Sequence, residues 1–402
     1  MQVLLLGNGF DLHYKFPTRY INFLNTIDFI AHNILVDIKT VGDIFGAEKL
    51  CKADKYIAES YETHKNQYHA TPIPSDVIES FSSAAENNIW FSYLWKSFNE
   101  DIGWIDFESQ INEVISAFKD FLDGCPSPFS IQSHPKQPLS RHIIKHFDFF
   151  LKKEGRGTYS ISDEYMLEDP AESGIFKINL EKWIGKLKQE LDELTEILRL
   201  YLFYFVEQPM LNMPAFFKEN EWFVRMRPEY VVTFNYTSTF EHFCTSARVA
   251  HIHGKVDDRI VLGVNPNEDD EVDTADTMFI EFKKYLQRIT LGTDTEYRLV
   301  ADELNDGAND LLLTVMGHSL DITDEDIIRE LFDYASEISI IYHSPNALKD
   351  YIAKLVALYG KDELDVMRRE KKLCFISIDK DLERYVETVK TRDIAPTFFV
   401  KI

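Results

Sequence analysis

Cysteine is scarce in this chain of 402 residues: Cys51, Cys125, Cys244 and Cys374 stand far apart and never form a CxxC pair. That spacing argues against a disulfide framework or a cysteine zinc site and predicts reduced, mostly buried thiols in a cytosolic protein. Glycine and proline are also few, 16 and 14, which excludes collagen-like and disordered chains. Long apolar runs are missing. Val3 to Leu6 has no positive charge ahead of it and is stopped by Gly7, too short for a signal-peptide core; Leu200 to Val206 falls far short of a membrane span. Positive charge is the last deficit, with 43 Lys and Arg against 67 Asp and Glu and a net charge of −24. Such a surface repels a phosphate backbone, and the one basic cluster, Met367 to Lys372, reads as a solvated helix end. A soluble cytoplasmic protein is expected, with neither nucleic acid nor membrane as a partner.

What is present is an ordinary globular composition, long enough for two or three domains and a large core. Hydrophobic periodicity divides it into three zones. Residues 1–35 read as a buried strand (2–6), a glycine turn and a helix carrying Tyr20, Phe23, Leu24 and Ile27. Residues 36–227 read as helices at 55–68, 76–85, 89–99, 104–123, 141–153 and 178–207, with surface loops at 125–130 and 154–158. From 228 to 402, short apolar strands at 230–234, 248–252, 260–263, 311–316, 338–342 and 373–377 alternate with helices at 278–289, 323–335, 346–359 and 380–389. Strands without alternation are buried on both faces. The expected fold is therefore α/β, a doubly wound and mostly parallel sheet of Rossmann type, built from 1–35 and 228–402 and interrupted by a helical insertion over 36–227.

In such sheets ligands sit beyond the carboxyl ends of the strands, and four strand ends carry unusual residues. Gly7-Asn8-Gly9-Phe10-Asp11 offers glycines for a tight turn near a phosphate, or simply a tight turn. Thr233-Phe234-Asn235-Tyr236-Thr237 places an amide that can orient a ribose hydroxyl or water, or cap the next helix. In His251-Ile252-His253-Gly254, alternation puts both histidines on one face. An imidazole with an unperturbed pKa of about 6.5 suits a general base as well as a structural core position. Gly317-His318-Ser319-Leu320-Asp321 offers a hydroxyl for a sugar or phosphate, or a helix cap.

Taken in order, these motifs resemble a divergent sirtuin. Gly7 to Asp11 followed by Phe16-Pro17 resembles the cofactor loop GAGxSxxxGIPDFR, Thr233 to Thr237 the TQNID segment, His253-Gly254 the His-Gly pair, and Gly317 to Leu320 the GTS ribose turn. The phrase LLLGNGFDL…FPTRYINFL, with TFNYT, HIHG and GHSLD later, is more similar still to the phage abortive-infection family AbiH. Trp104 to Glu108 also resembles an AbiH segment. The chain departs from the sirtuin pattern at Asp11, where the pattern has Ser, and at Thr18 and Tyr20, where it has Asp and Arg. The tetracysteine zinc module is absent, which argues against protein deacylation.

The resemblance implies an NAD+ hydrolase in anti-phage defence, a toxin that cleaves NAD+ as its substrate to nicotinamide and ADP-ribose, with no metal expected. Asn235 and His253 would be catalytic. Gly7, Asn8, Gly9, Phe10, Asp11, Pro17, Tyr20, Thr233, Gly317, His318, Ser319 and Asp321 would bind the dinucleotide, the pyrophosphate facing the glycine turn and the helix after it. The insertion would restrain the site or hold a homo-oligomer or a partner defence protein, and Asp106 and Glu108 could reach the cleft or be exposed helix carboxylates. Two alternatives stay open: a nucleotide-binding sensor or scaffold without turnover, and a metal-dependent hydrolase using His251, His253, His318 and Asp321.

Overall fold

The computed structural model describes residues 1–33, 38–100, 106–123, 138–147, 150–152, 159–168, 176–213, 221–264, 277–306 and 311–394. Its strands in chain order are β1 (Gln2–Leu6), β2 (Phe150–Lys152), β3 (Tyr159–Ile161), β4 (Met166–Glu168), β5 (Phe176–Ile178), β6 (Tyr230–Thr233), β7 (Arg248–His251), β8 (Leu312–Met316), β9 (Glu337–Tyr342) and β10 (Leu373–Ser377). Six form one all-parallel sheet in the order β7-β6-β1-β8-β9-β10. Counted among themselves they run 3-2-1-4-5-6, the doubly wound order in which winding reverses beside the first strand. β1 lies at the centre, with Leu4 opposite Val231 on one side and Thr314 on the other.

β1 is buried at every position because both faces are covered. Val3 and Leu5 point into a core shared with helices Thr295–Asp306, Glu325–Tyr334 and Pro345–Arg369. Leu4 and Leu6 point the other way, into a core closed by Phe10, Phe223, Phe240 and helix Leu382–Ile394. The expected α/β sheet is present, and all of its strands came from apolar runs read in the sequence.

A third core fills a helical body. Its longest helix, Leu180–Leu202, is started by Asn179 accepting from the Lys182 amide at 3.0 Å and buries Trp183, Leu187, Leu191, Leu194 and Leu198 along one stripe. Helix Tyr20–His32 buries Phe23, Leu24 and Ile27 in this same core, so it packs with the helical body although only the short helix Gly9–His13 separates it from β1. Helix Trp222–Met226, at the other end of the insertion, packs on the sheet.

Three expectations need correction. The segment 260–263 is no strand; apart from isolated bridges at Gly254–Ile260 and Val264–Lys283 it is unpaired, and Ile260 and Leu262 are apolar because they plug the helical core. The helix expected at 141–153 ends at His146, and β2–β3 and β4–β5 are two short antiparallel ladders inside the helical zone. Of the three cysteines described, only Cys244 is buried; Cys51 and Cys374 are half-buried. Cys125, Trp104 and the loops expected at 125–130 and 154–158 lie outside the described residues.

Candidate functional site

β1 and β8 end side by side where the winding reverses, and their two glycine turns pack together. The Gly9 amide donates to the Gly317 carbonyl at 2.8 Å. A Cβ on Gly7 would stand 2.5 Å from His318 Cα, and one on Gly9 2.6 Å from Gly317 Cα. The glycines are thus required by turn-against-turn contact, a reason the sequence could not disclose. Gly317 has φ of 70° and Leu320 of 54°, a left-handed conformation costly for a branched residue. The His318 ring holds this turn, its Nδ1 accepting from the Leu320 amide at 2.9 Å. The helix expected to face a pyrophosphate is only Gly9–His13, five residues long.

Over these turns lies a cleft of about 540 Å³, within the size range of small-molecule sites. Gly7, Asn8, Asp11, Tyr20, Asn235, His253, Gly317, His318, Ser319 and Asp321 all line it. Gly9, Phe10, Pro17 and Thr233 do not. Phe10 is a fully buried core ring, the Pro17 carbonyl accepts from Tyr201 at 2.8 Å, and Thr233 Oγ1 accepts from the Asn235 amide at 3.1 Å. Side chains not among the expected site residues also join the wall, Arg19, Phe234, Asp324 and Lys354 among them. None of the expected site residues lines the larger groove, about 1170 Å³, between helices Ser75–Asn87 and Leu180–Leu202.

Several expected binders already have partners. Asn8 is bonded through both ends of its amide to Thr18, closing the loop after β1. Asp321 caps the turn Ile322–Asp324 and receives Lys354 Nζ at 2.9 Å. Asp106 caps helix Phe107–Asp123, accepting from the Glu108 amide at 3.1 Å and Ser109 Oγ at 2.9 Å. Ser319 remains exposed on the rim. Asp11 is buried, and only one of its oxygens is satisfied, by Thr237 Oγ1 at 2.6 Å; the other has no partner. Burial pushes its carboxyl up to about 7, against the pull of Thr237 and Thr239.

The two histidines at the end of β7 diverge. His251, the last residue of β7, donates from Nδ1 to the Asn235 carbonyl at 2.9 Å, and its Nε2 lies 2.8 Å from Glu241, behind the cleft. His253, two residues on in a turn, faces the cleft, so alternation does not carry past the strand end. With His251 turned away and Asp321 taken by Lys354, the four residues of the metal-dependent alternative do not converge. Among the described residues no group of three or more His, Cys, Asp and Glu is placed to hold a metal ion.

Beneath His253 lies a buried ion cluster that sequence reasoning missed. Lys284, fully buried at the start of helix Lys284–Leu291, reaches Glu108 Oε2 at 2.6 Å and Asp324 Oδ1 at 2.9 Å. Asp324 Oδ1 also lies 3.3 Å from His253 Nε2, and its Oδ2 lies 3.4 Å from His318 Nε2. Burial, followed by the Lys284 charge, pushes His253 down to about 4, so the ring is neutral at pH 7. Burial raises Glu108 to about 7 despite Lys284, whereas Asp324 stays well below the carboxylate range because Lys284 and His253 outweigh its burial. Glu108 thus brings the helical body into the cleft wall, beside Tyr20, whose ring stacks on Phe107 at 4.1 Å.

A central all-parallel sheet in 3-2-1-4-5-6 order, with a cleft at its reversal point, defines a doubly wound α/β protein. The family model for bacteriophage abortive infection AbiH matches residues 3–343, from β1 through β9 with the helical body between. The chain belongs to the AbiH family, proteins of phage abortive infection. No curated protein and no solved structure matches it. Among the described residues no helix is long and apolar enough to cross a membrane.

Proposed function

We propose that the cleft hydrolyses NAD+ to nicotinamide and ADP-ribose, as the toxic step of abortive infection. The nicotinamide–ribose bond breaks with its electron pair going to the ring nitrogen, which neutralises the leaving group's own positive charge. Little acid catalysis is needed. What the reaction requires is a base for the attacking water and polar groups around a ribose that becomes cationic, as in glycoside hydrolysis. His253 takes the water's proton, and Asn235, its main chain fixed by Thr233 and His251, positions the water or ribose. The partnerless oxygen of Asp11 accepts a ribose hydroxyl, and Ser319 serves the second ribose. Arg19, on the cleft wall, supplies the positive charge missing at Tyr20, where the sirtuin pattern has Arg.

The observation that carries this reading is His253: a buried, neutral imidazole on the wall of the cleft at the switch point, with its Nε2 turned to Asp324. AbiH membership supports the defence setting. Control of so damaging an activity is assigned to the helical body, by closure over the cleft or through a second copy or a partner defence protein.

Purified protein incubated with NAD+ and resolved by chromatography tests the reading. Free nicotinamide with ADP-ribose is expected, lost in Asn235→Ala and His253→Ala. Bound NAD+ without products would establish the sensor instead.

A further inference from the structure

The Asp324 carboxylate stands at the meeting point of three segments: the turn after β7 carrying His253, the turn after β8 carrying His318, and the helix carrying Lys284. We propose that Asp324 is the positioning residue of the cleft, holding the ring of His253 so that its Nδ1 is the atom offered to substrate. The inference rests on the NAD+-cleaving reading for its reaction, and on geometry alone for the positioning.

The hydrogens follow from the partners. A backbone amide can only donate, so the bond from the Leu320 amide makes His318 Nδ1 an acceptor and leaves the proton of a neutral ring on Nε2, facing Asp324 Oδ2. The same logic applies to His253. Its Nε2 is buried against Asp324 Oδ1, 3.3 Å away and out of line for a full hydrogen bond. An ionised carboxylate favours the tautomer with a proton on the nitrogen facing it, and Lys284, 2.9 Å from the same oxygen, keeps Asp324 ionised. Nδ1 is then the lone-pair nitrogen and the one left for the cleft that His253 lines. Phe234 packs against both rings, 5.3 Å from His253 and 4.1 Å from His318, and limits their rotation. When water attacks, its proton passes to Nδ1, and the imidazolium so formed faces an anion already in place; no atom of Asp324 touches the substrate. Alignment of Nε2 with Oδ1 tightens at that moment, since both nitrogens then carry protons.

The charged and titratable groups around His253 are Asp324, Lys284, Arg288 and His318, so a simple charge effect must be separated from orientation. Histidine-labelled full-length protein, read by long-range nitrogen–proton correlation spectroscopy, reports the tautomers directly. Wild type is expected to carry the proton on Nε2 in both His253 and His318. In Asp324→Asn an amide can accept on one side only, so at least one ring must leave that tautomer. NAD+ cleavage is expected to fall roughly 100-fold or more in kcat with KM little changed, as when a His-orienting carboxylate is made an amide. A wild-type His253 protonated on Nδ1 overturns the proposal without recourse to any variant, as does a folded Asp324→Asn protein with unchanged tautomers and unchanged kcat. If wild type does not cleave NAD+ but shows both Nε2 protons, and Asp324→Asn loses one, the positioning stands and the NAD+ reading fails.

Discussion

A carboxyl group at 1% exposure with one bare oxygen, as at Asp11, is a standing cost to the fold whenever it ionises. Its pKa is 3.8 in an unstructured chain and about 7 in the native protein. Between those values the native state holds a proton that the unfolded state has lost, so the contribution to stability falls as pH rises from about 4 to about 7. Asp11→Asn keeps an acceptor for Thr237 and removes the titration. Its stability relative to wild type in urea should rise across that window, reaching on the order of 1–3 kcal/mol at pH 8; a pH-independent difference would refute the assignment. Asp11 was legible as an unusual residue because it stands where the sirtuin pattern has Ser. Asp324 was not, since it stands in an ordinary acidic run, Asp321 to Asp326, and only the packing of three distant segments singles it out.

Helices and turns carry the next contrasts. Gly185, in the second turn of helix Leu180–Leu202, has nothing within 4 Å of a built Cβ, so Gly185→Ala should stabilise by about 0.5–1 kcal/mol. Gly7→Ala drives a methyl into His318 and should cost about 1–3 kcal/mol while weakening ligand binding at the turn it displaces. Thermal unfolding of the two variants side by side gives the opposite signs. Lys284 ties helix Phe107–Asp123 to the sheet through Glu108 and Asp324. Lys284→Met leaves two buried carboxylates without a counter-ion and should cost about 3–5 kcal/mol, part of it recovered by adding Glu108→Gln. Sequence patterning found these helices, because a stripe of apolar side chains needs no knowledge of the partner. It failed at 260–263, because an apolar run reports burial and not whether the backbone is paired.

Across the molecule, a net charge of −24 surrounds the cleft that we propose takes an anionic dinucleotide, with Arg19 set locally against the global field. Screening weakens the long-range repulsion more than the short-range contacts. We therefore expect kcat/KM for NAD+ to rise as ionic strength goes from about 20 to about 150 mM, where the Debye length shrinks to about 8 Å; a steep fall would mean that the local cations dominate. The parallel sheet was readable because each of its strands is a short apolar run. The sharing of helix Tyr20–His32 with the helical body was not, since its apolar stripe fits either core. The central position of β1 has a consequence in time. The strand that both neighbours clasp is synthesised first, β6 follows about 220 residues later, and β8 emerges after nearly another 80. Until the chain beyond Met316 has left the ribosome the cleft lacks Gly317, His318, Asp324 and the rest of that side, so a nascent chain cut short before that point has no completed cleft.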